Sequence, residues 1–214
     1  MKKVFIISVL LIATGFSFIG CKSDVKKDES KPVTNETKVV TKKSSAPFAV
    51  LNAINDIKFT AYKTTDKIGV PGWFKKVDVL AGGEGTSIKE AINNTAFSIP
   101  VSSLMTKNIS RDYKIKKYFF SVMENTKLLS GKLMITDDTT GIVEIKMNGI
   151  IKSVPFTYTI VDKTFSMNST MDVTNWKATK ALASLNKICE LLHTGADGVS
   201  KTWSEVSLNI TSTF

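Results

Sequence analysis

Apolar and polar residues alternate with period two through most of residues 129–173. Leu129, Leu133 and Ile135 alternate with Ser130, Lys132 and Met134, and Val143, Ile145 and Met147 alternate with Ile142, Glu144 and Lys146. Each run reads as a strand with one face buried. Asn148-Gly149 then supplies the two positive-φ positions of a two-residue hairpin loop, which places Met147 opposite Ile150. Cross-strand partners share a face, so Ile150, Val154, Phe156, Tyr158 and Ile160 join Met147 inside. With Asp162-Lys163 as the next loop, Val161 pairs with Thr164 and Ile160 with Phe165. Phe165, Met167, Met171 and Val173 then fall on the same face. A one-residue slip in any hairpin would break this agreement, so a four-strand antiparallel meander is predicted.

Shorter alternations extend the pattern. Ile57, Phe59 and Ala61; Val77 and Val79; Phe97, Ile99 and Val101; and Val206, Leu208 and Ile210 each interleave with mostly polar neighbours. The total is about eight strands, the size at which a closed barrel can hold one small ligand. The predicted fold is therefore all-β, an eight-stranded antiparallel lipocalin-like β-barrel with two helical insertions. One helix is read within residues 111–120 from Ile115, Tyr118 and Phe119. The other is read over 177–193 from Ala181, Leu185, Ile188, Cys189 and Leu192, with Gly195 as its stop.

The N-terminal 46 residues follow different rules. Lys2 and Lys3 precede an apolar run from Val4 to Phe18, and Phe18-Ile19-Gly20 lead into Cys21. This is the layout of a secretory signal, too short and wrongly flanked for a transmembrane helix. It resembles a bacterial lipobox, which implies cleavage before Cys21 and acylation of that residue, although Phe18 replaces the usual leucine; the alternative is an ordinary signal cleaved near Gly20. Residues 22–45 contain no aromatic residue and few apolar ones, a composition that cannot offset the entropy of ordering. The chain thus divides into a lipoprotein signal (1–20), a tether (21–46) and one domain (47–214). Of the formal charge of +10, residues 46–214 hold +5, with 20 basic and 15 acidic residues. With no nucleic-acid motif, no nucleic-acid partner is expected.

Catalytic chemistry finds little to work with. His193 is the only histidine, and it falls at a helix end where it suits the dipole and the last carbonyls. Beyond Cys21 the only cysteine is Cys189, within an apolar helical pattern typical of a core thiol. No disulfide, zinc constellation or phosphate loop can be assembled, so the expectations are no enzyme, no metal and no cofactor. Arg111, Lys114, Lys116 and Lys117 form the one local basic cluster, read first as a solvated face, with contact to headgroups as the alternative.

Several ordered segments resemble the YceI-like family. IKFTAYKTTDKIGVPGWFKKV (57–77) is similar to its opening hairpin. FSIPVSSLMTKNISRDYKIKKYFF (97–120) is similar to its stretch of serines, an Arg-Asp pair and a double Phe. MNGIIKSVPF (147–156) resembles its central hairpin, and KALASLNKICELLHTGADGVSKTWSEVSLNI (180–210) resembles the ending of exported members. The resemblance implies a barrel holding a long isoprenoid or other amphiphilic lipid in an apolar tunnel. The residues expected to line it are Phe59, Phe97, Ile99, Phe119, Phe120, Ile145, Met147, Phe156, Tyr158, Ile160, Phe165 and Met167. Arg111 and Asp112 carry over as the Arg-Asp pair near the headgroup. Lys114 and Asn148 stand where many members have histidines, so contacts attributed to those histidines do not transfer.

The expected function is a membrane-anchored carrier or reservoir for an isoprenoid, quinone or similar lipid. Its partners would be that lipid and the membrane reached through acylated Cys21, with a homodimer held open. The expected location is the cell envelope, the outer membrane by analogy, because Lys22 rather than Asp follows the cysteine. The rival reading is a structural or interaction lipoprotein whose barrel is fully packed. A continuous apolar tunnel of about 300 Å³ or more favours the binder.

Overall fold

A computed structural model describes residues 43–214. The expected signal, Cys21 and most of the tether lie outside the described residues. The strands are β1 (Phe48–Ala49), β2 (Ile54–Lys63), β3 (Ile68–Phe74), β4 (Asp78–Ala81), β5 (Glu84–Gly85), β6 (Ala96–Pro100), β7 (Leu104–Met105), β8 (Leu128–Ile135), β9 (Thr140–Met147), β10 (Ile150–Val161), β11 (Thr164–Asp172) and β12 (Thr202–Thr213). Four helices punctuate them: α1 (Ile88–Ile92), α2 (Ile109–Tyr118), α3 (Thr179–Ile188) and α4 (Glu190–His193).

Both predicted hairpin registers are present. Met147 faces Ile150, Ile160 faces Phe165 and Val161 faces Thr164. Asn148 and Gly149 hold φ values of 51° and 70°, the left-handed values such a turn requires. The sheet runs β4-β6-β8-β9-β10-β11-β12-β2-β3-β7, antiparallel throughout. Its two ends are halves of the same two bent strands. β3 and β4 are separated by residues 75–77, and β6 and β7 by a 3-10 turn at Val101–Ser103. Trp73 pairs with Met105, Phe74 with Leu104, and Asp78 with Ser98, with Lys75 N–H donating to Ser103 O (3.1 Å) between them. Counting each bent strand once gives eight strands that close on themselves, as the sequence pattern predicts.

Closure separates two ends. The β8–β9 and β10–β11 loops, β1 with β5, and α1 lie at one end, the floor; α2, α3 and α4 lie at the other, the mouth. At the floor α1 begins with a reciprocal cap: Ser87 Oγ accepts from Glu90 N–H, and the Glu90 carboxylate accepts from Thr86 N–H (2.8 Å). This sets Ala91 and Ile92 fully inside the barrel. Phe48 meets Phe214 edge-on beside them, with ring centroids 5.8 Å apart.

At the mouth Trp176 is completely buried, and its indole N–H donates to Ile145 O (2.9 Å). Asn148 joins three segments there. Its amide donates to Trp176 O (2.8 Å), its side-chain oxygen accepts from Glu124 N–H (2.8 Å), and its N–H donates to Thr126 Oγ1. The second predicted helix differs from expectation: residues 177–193 form two helices broken at Cys189, whose φ of −110° and ψ of 12° depart from helical values. The first begins at Ile109 because Asn108 caps it, Oδ1 accepting from Arg111 N–H (2.9 Å).

Candidate functional site

Three cavities follow one another along the barrel. The deepest, about 130 Å³, is walled by Phe59, Phe97, Ile99, Ile145, Met147, Phe165 and Met167, with Leu133, Val143, Ile210 and others. Of its polar wall residues, Lys58 holds its ammonium 5.9 Å from the Trp73 ring, and the other three are hydrogen-bonded within the protein. Ser212 Oγ donates to Asn55 Oδ1 (2.6 Å), Asn55 Nδ2 donates to Val50 O, and Thr95 Oγ1 donates to Ala91 O. A cavity whose polar groups are paired internally offers a guest only apolar contact. The second cavity, about 140 Å³, is bounded by Phe119, Phe120, Ile115, Leu182, Leu185 and Val206. It shares Phe59, Phe74, Leu129, Met147, Met171 and Leu208 with the first, so a single layer of side chains divides them.

The third cavity, about 240 Å³, opens at the mouth and shares Ala61, Ile115, Leu185 and Thr202 with the second. Its walls carry Lys63, Arg111, Lys114, Cys189 and His193. None of the three cations forms an ion pair among the described residues. Lys63 Nζ instead donates to Leu192 O (2.8 Å), covering a carbonyl that a charged His193 was expected to help cap. Burial, reinforced by Lys63, Lys114 and Arg111, holds the His193 pKa down at about 4, so its ring is neutral at pH 7. Its Nδ1 lies 2.6 Å from Thr202 Oγ1, which donates to Asn186 Oδ1 (2.8 Å). Burial also pushes the Cys189 thiol up, against the pull of the same cations, so it stays protonated.

Seven of the twelve expected lining residues thus surround the deep cavity, and Phe119 and Phe120 surround the second. Three do not face either. Phe156 and Tyr158 are buried but pack on each other and towards the floor, Tyr158 OH donating to Asp137 O (2.8 Å). Ile160 is 38% exposed, because it lies at the rim two residues before the β10–β11 loop, where the core ends. Arg111 lines the mouth, whereas Asp112 turns away: its Oδ1 accepts from both Thr106 N–H (2.7 Å) and Thr106 Oγ1 (2.6 Å), fixing the start of α2. Missing from the expected set were Phe74, Leu208 and Lys63. Phe74 follows Pro71-Gly72, which disrupts the alternation that would have marked it.

Three inward aromatics, two of them at the deep cavity, lie flat for a shared reason. Phe59, Phe97 and Phe156 sit directly opposite Gly72, Gly131 and Gly141. A Cβ at Gly72 would come within 2.2 Å of Phe59 Cζ. The missing side chains let the rings lie against the opposing backbone instead of filling the interior.

No protein-family model matches the chain, and no curated protein is significantly similar to it. Solved structures do match. A polyisoprenoid binding domain from Saccharophagus degradans, implicated in plant cell wall breakdown, superposes with a TM-score of 0.53 at 8% identity, covering 74% of this chain and 93% of that one. Burkholderia cenocepacia BcnA gives 0.46 at 12% identity over 74% and 94%, and a Campylobacter jejuni YCEI protein gives 0.43 at 20% over 65% and 84%. The likeness to the first defines the fold class: an all-β, lipocalin-like antiparallel barrel. At these identities it is a likeness of fold.

Proposed function

We propose that this chain is a YceI-like lipoprotein, anchored through Cys21 in the cell envelope, that binds a long isoprenoid or similar anionic amphiphile as carrier or reservoir. The observation that carries this reading is the order of the cavities along one axis, with two apolar chambers ending in a cationic mouth. The chain of the ligand would occupy the two inner chambers, each buried CH₂ contributing about 0.8 kcal/mol. Its phosphate or carboxylate would meet Arg111, Lys114 and Lys63. Neutral His193 and protonated Cys189 leave that charge balance to the three cations. The lipid bound by the Saccharophagus degradans domain agrees with this ligand class.

The test compares decaprenyl phosphate with decaprenol on the delipidated full chain. The expected result is uptake of both, with the phosphate bound more tightly and that preference lost in a Lys63→Gln, Arg111→Gln, Lys114→Gln variant. Uptake of neither would remove the proposal.

One observation favours the rival packed barrel. Even taken together, the two apolar chambers come to about 270 Å³, short of the ~300 Å³ at which small-molecule pockets begin, because Phe59, Phe74, Met147 and their neighbours divide and partly fill the interior. In the binding reading these side chains move aside and join the chambers. In the packed reading they do not.

A further inference from the structure

The two ends of the barrel differ in charge. The floor segments 46–53, 82–95, 136–139 and 162–163 carry two basic and five acidic residues. The mouth segments 64–67, 106–127, 148–149 and 173–201 carry eleven basic and five acidic. They differ equally in what they leave bare. Of the thirteen exposed large apolar side chains among the described residues, only Ile54, Ile160 and Val161 lie at the floor. The other ten are at the mouth, led by Ile109 at 89% exposed and Leu191 at 93%. Ile109 adjoins Ser110 and Arg111, and Leu191 adjoins Leu192, all of which line the opening. The least covered apolar groups therefore flank the entrance on both sides, within the basic surface.

We infer that the mouth of the barrel docks on the surface of an anionic lipid bilayer. Ile109 and Leu191 would enter the headgroup–acyl boundary while Lys107, Arg111 and Lys187 meet lipid phosphates. Apolar side chains surrounded by basic ones on one face are what interfacial association requires, and each cation near an anionic surface adds to it. The acidic floor faces away in this pose. The tether joins the domain at the floor, where β1 lies. Residues 22–45 can span up to about 80 Å, well beyond the ~33 Å rise of a ten-residue strand such as β2, so an anchor at Cys21 leaves the mouth free to reach the same membrane.

Hydrogen exchange of the mature chain, anchored through acylated Cys21 on phosphatidylcholine vesicles with and without phosphatidylglycerol, tests the docking. The expected result is slower exchange in 109–118 and 188–199 only with phosphatidylglycerol, with no change in 136–139. An Ile109→Glu, Leu191→Glu variant should lose that protection at unchanged melting temperature, since both side chains are exposed. Lys107→Gln with Lys187→Gln should weaken it on the order of tenfold. Protection that is absent, equal on both vesicles, or unaffected by these variants overturns the inference. No ligand enters the measurement, so this result and the lipid-uptake result stand or fall separately.

Discussion

Replacing Leu208 by Phe separates a hollow barrel from a packed one. Leu208 lies on β12 and faces both inner chambers, so the added ring projects into the layer that divides them. An unfilled cavity of about 130 Å³ costs roughly 3 kcal/mol at ~24 cal/mol per Å³. Phe adds three carbons to Leu, for an upper gain of about 2.4 kcal/mol. Allowing for imperfect rotamers, a net gain of about 1 kcal/mol remains, or a rise of about 3 °C in Tm for a domain of this size. The same ring blocks passage between the chambers, so the delipidated variant should be more stable yet take up decaprenyl phosphate at least tenfold more weakly. Calorimetry and a fluorescence displacement titration on one preparation read both quantities. A lowered Tm, with the loss of about 1–3 kcal/mol that overpacking costs, would show that the space was never available.

Other outcomes follow from the same geometry. Gly72→Ala should destabilise by about 1–3 kcal/mol and weaken lipid uptake, since its Cβ drives the Phe59 ring off the wall into the chamber; chemical denaturation measures the first effect. Trp176→Ala should cost about 3–5 kcal/mol, because it empties a fully buried site and removes the indole donor to Ile145 O; a smaller loss by urea unfolding would contradict the packing described. His193 sets a pH dependence. Above about pH 6.5 the ring is neutral folded or unfolded, but below it the unfolded chain takes up a proton that the folded site refuses until about pH 4. Stability should therefore fall as pH falls through that window, and His193→Gln should flatten the slope of Tm against pH.

Much of the barrel was legible because local chemistry fixed it. Asn148-Gly149 and the parity of Met147, Phe156, Phe165 and Met167 specify a register that admits no slip. Where two local signals conflicted, the reading failed. Pro71-Gly72 interrupts β3, which hid Phe74 and the way two bent strands close the barrel. The break at Cys189 carries no Gly or Pro to announce it. The mouth was the least legible part, because Lys63, Arg111, Lys114 and His193 come from a strand end and two separate helical regions, and only closure brings them together. Asn148 shows the opposite case: a residue explained fully by its turn also ties Trp176 and Glu124 in place.

Whether the barrel holds a lipid is decided by native mass spectrometry of the chain purified from its own membranes, without delipidation. A lipid-filled barrel gives a one-to-one adduct whose extracted mass corresponds to an anionic amphiphile with a long hydrocarbon chain, strongly depleted in the Leu208→Phe variant. A bare protein mass from the native preparation, together with no uptake of decaprenyl phosphate by the same sample, would contradict the lipid-binding reading.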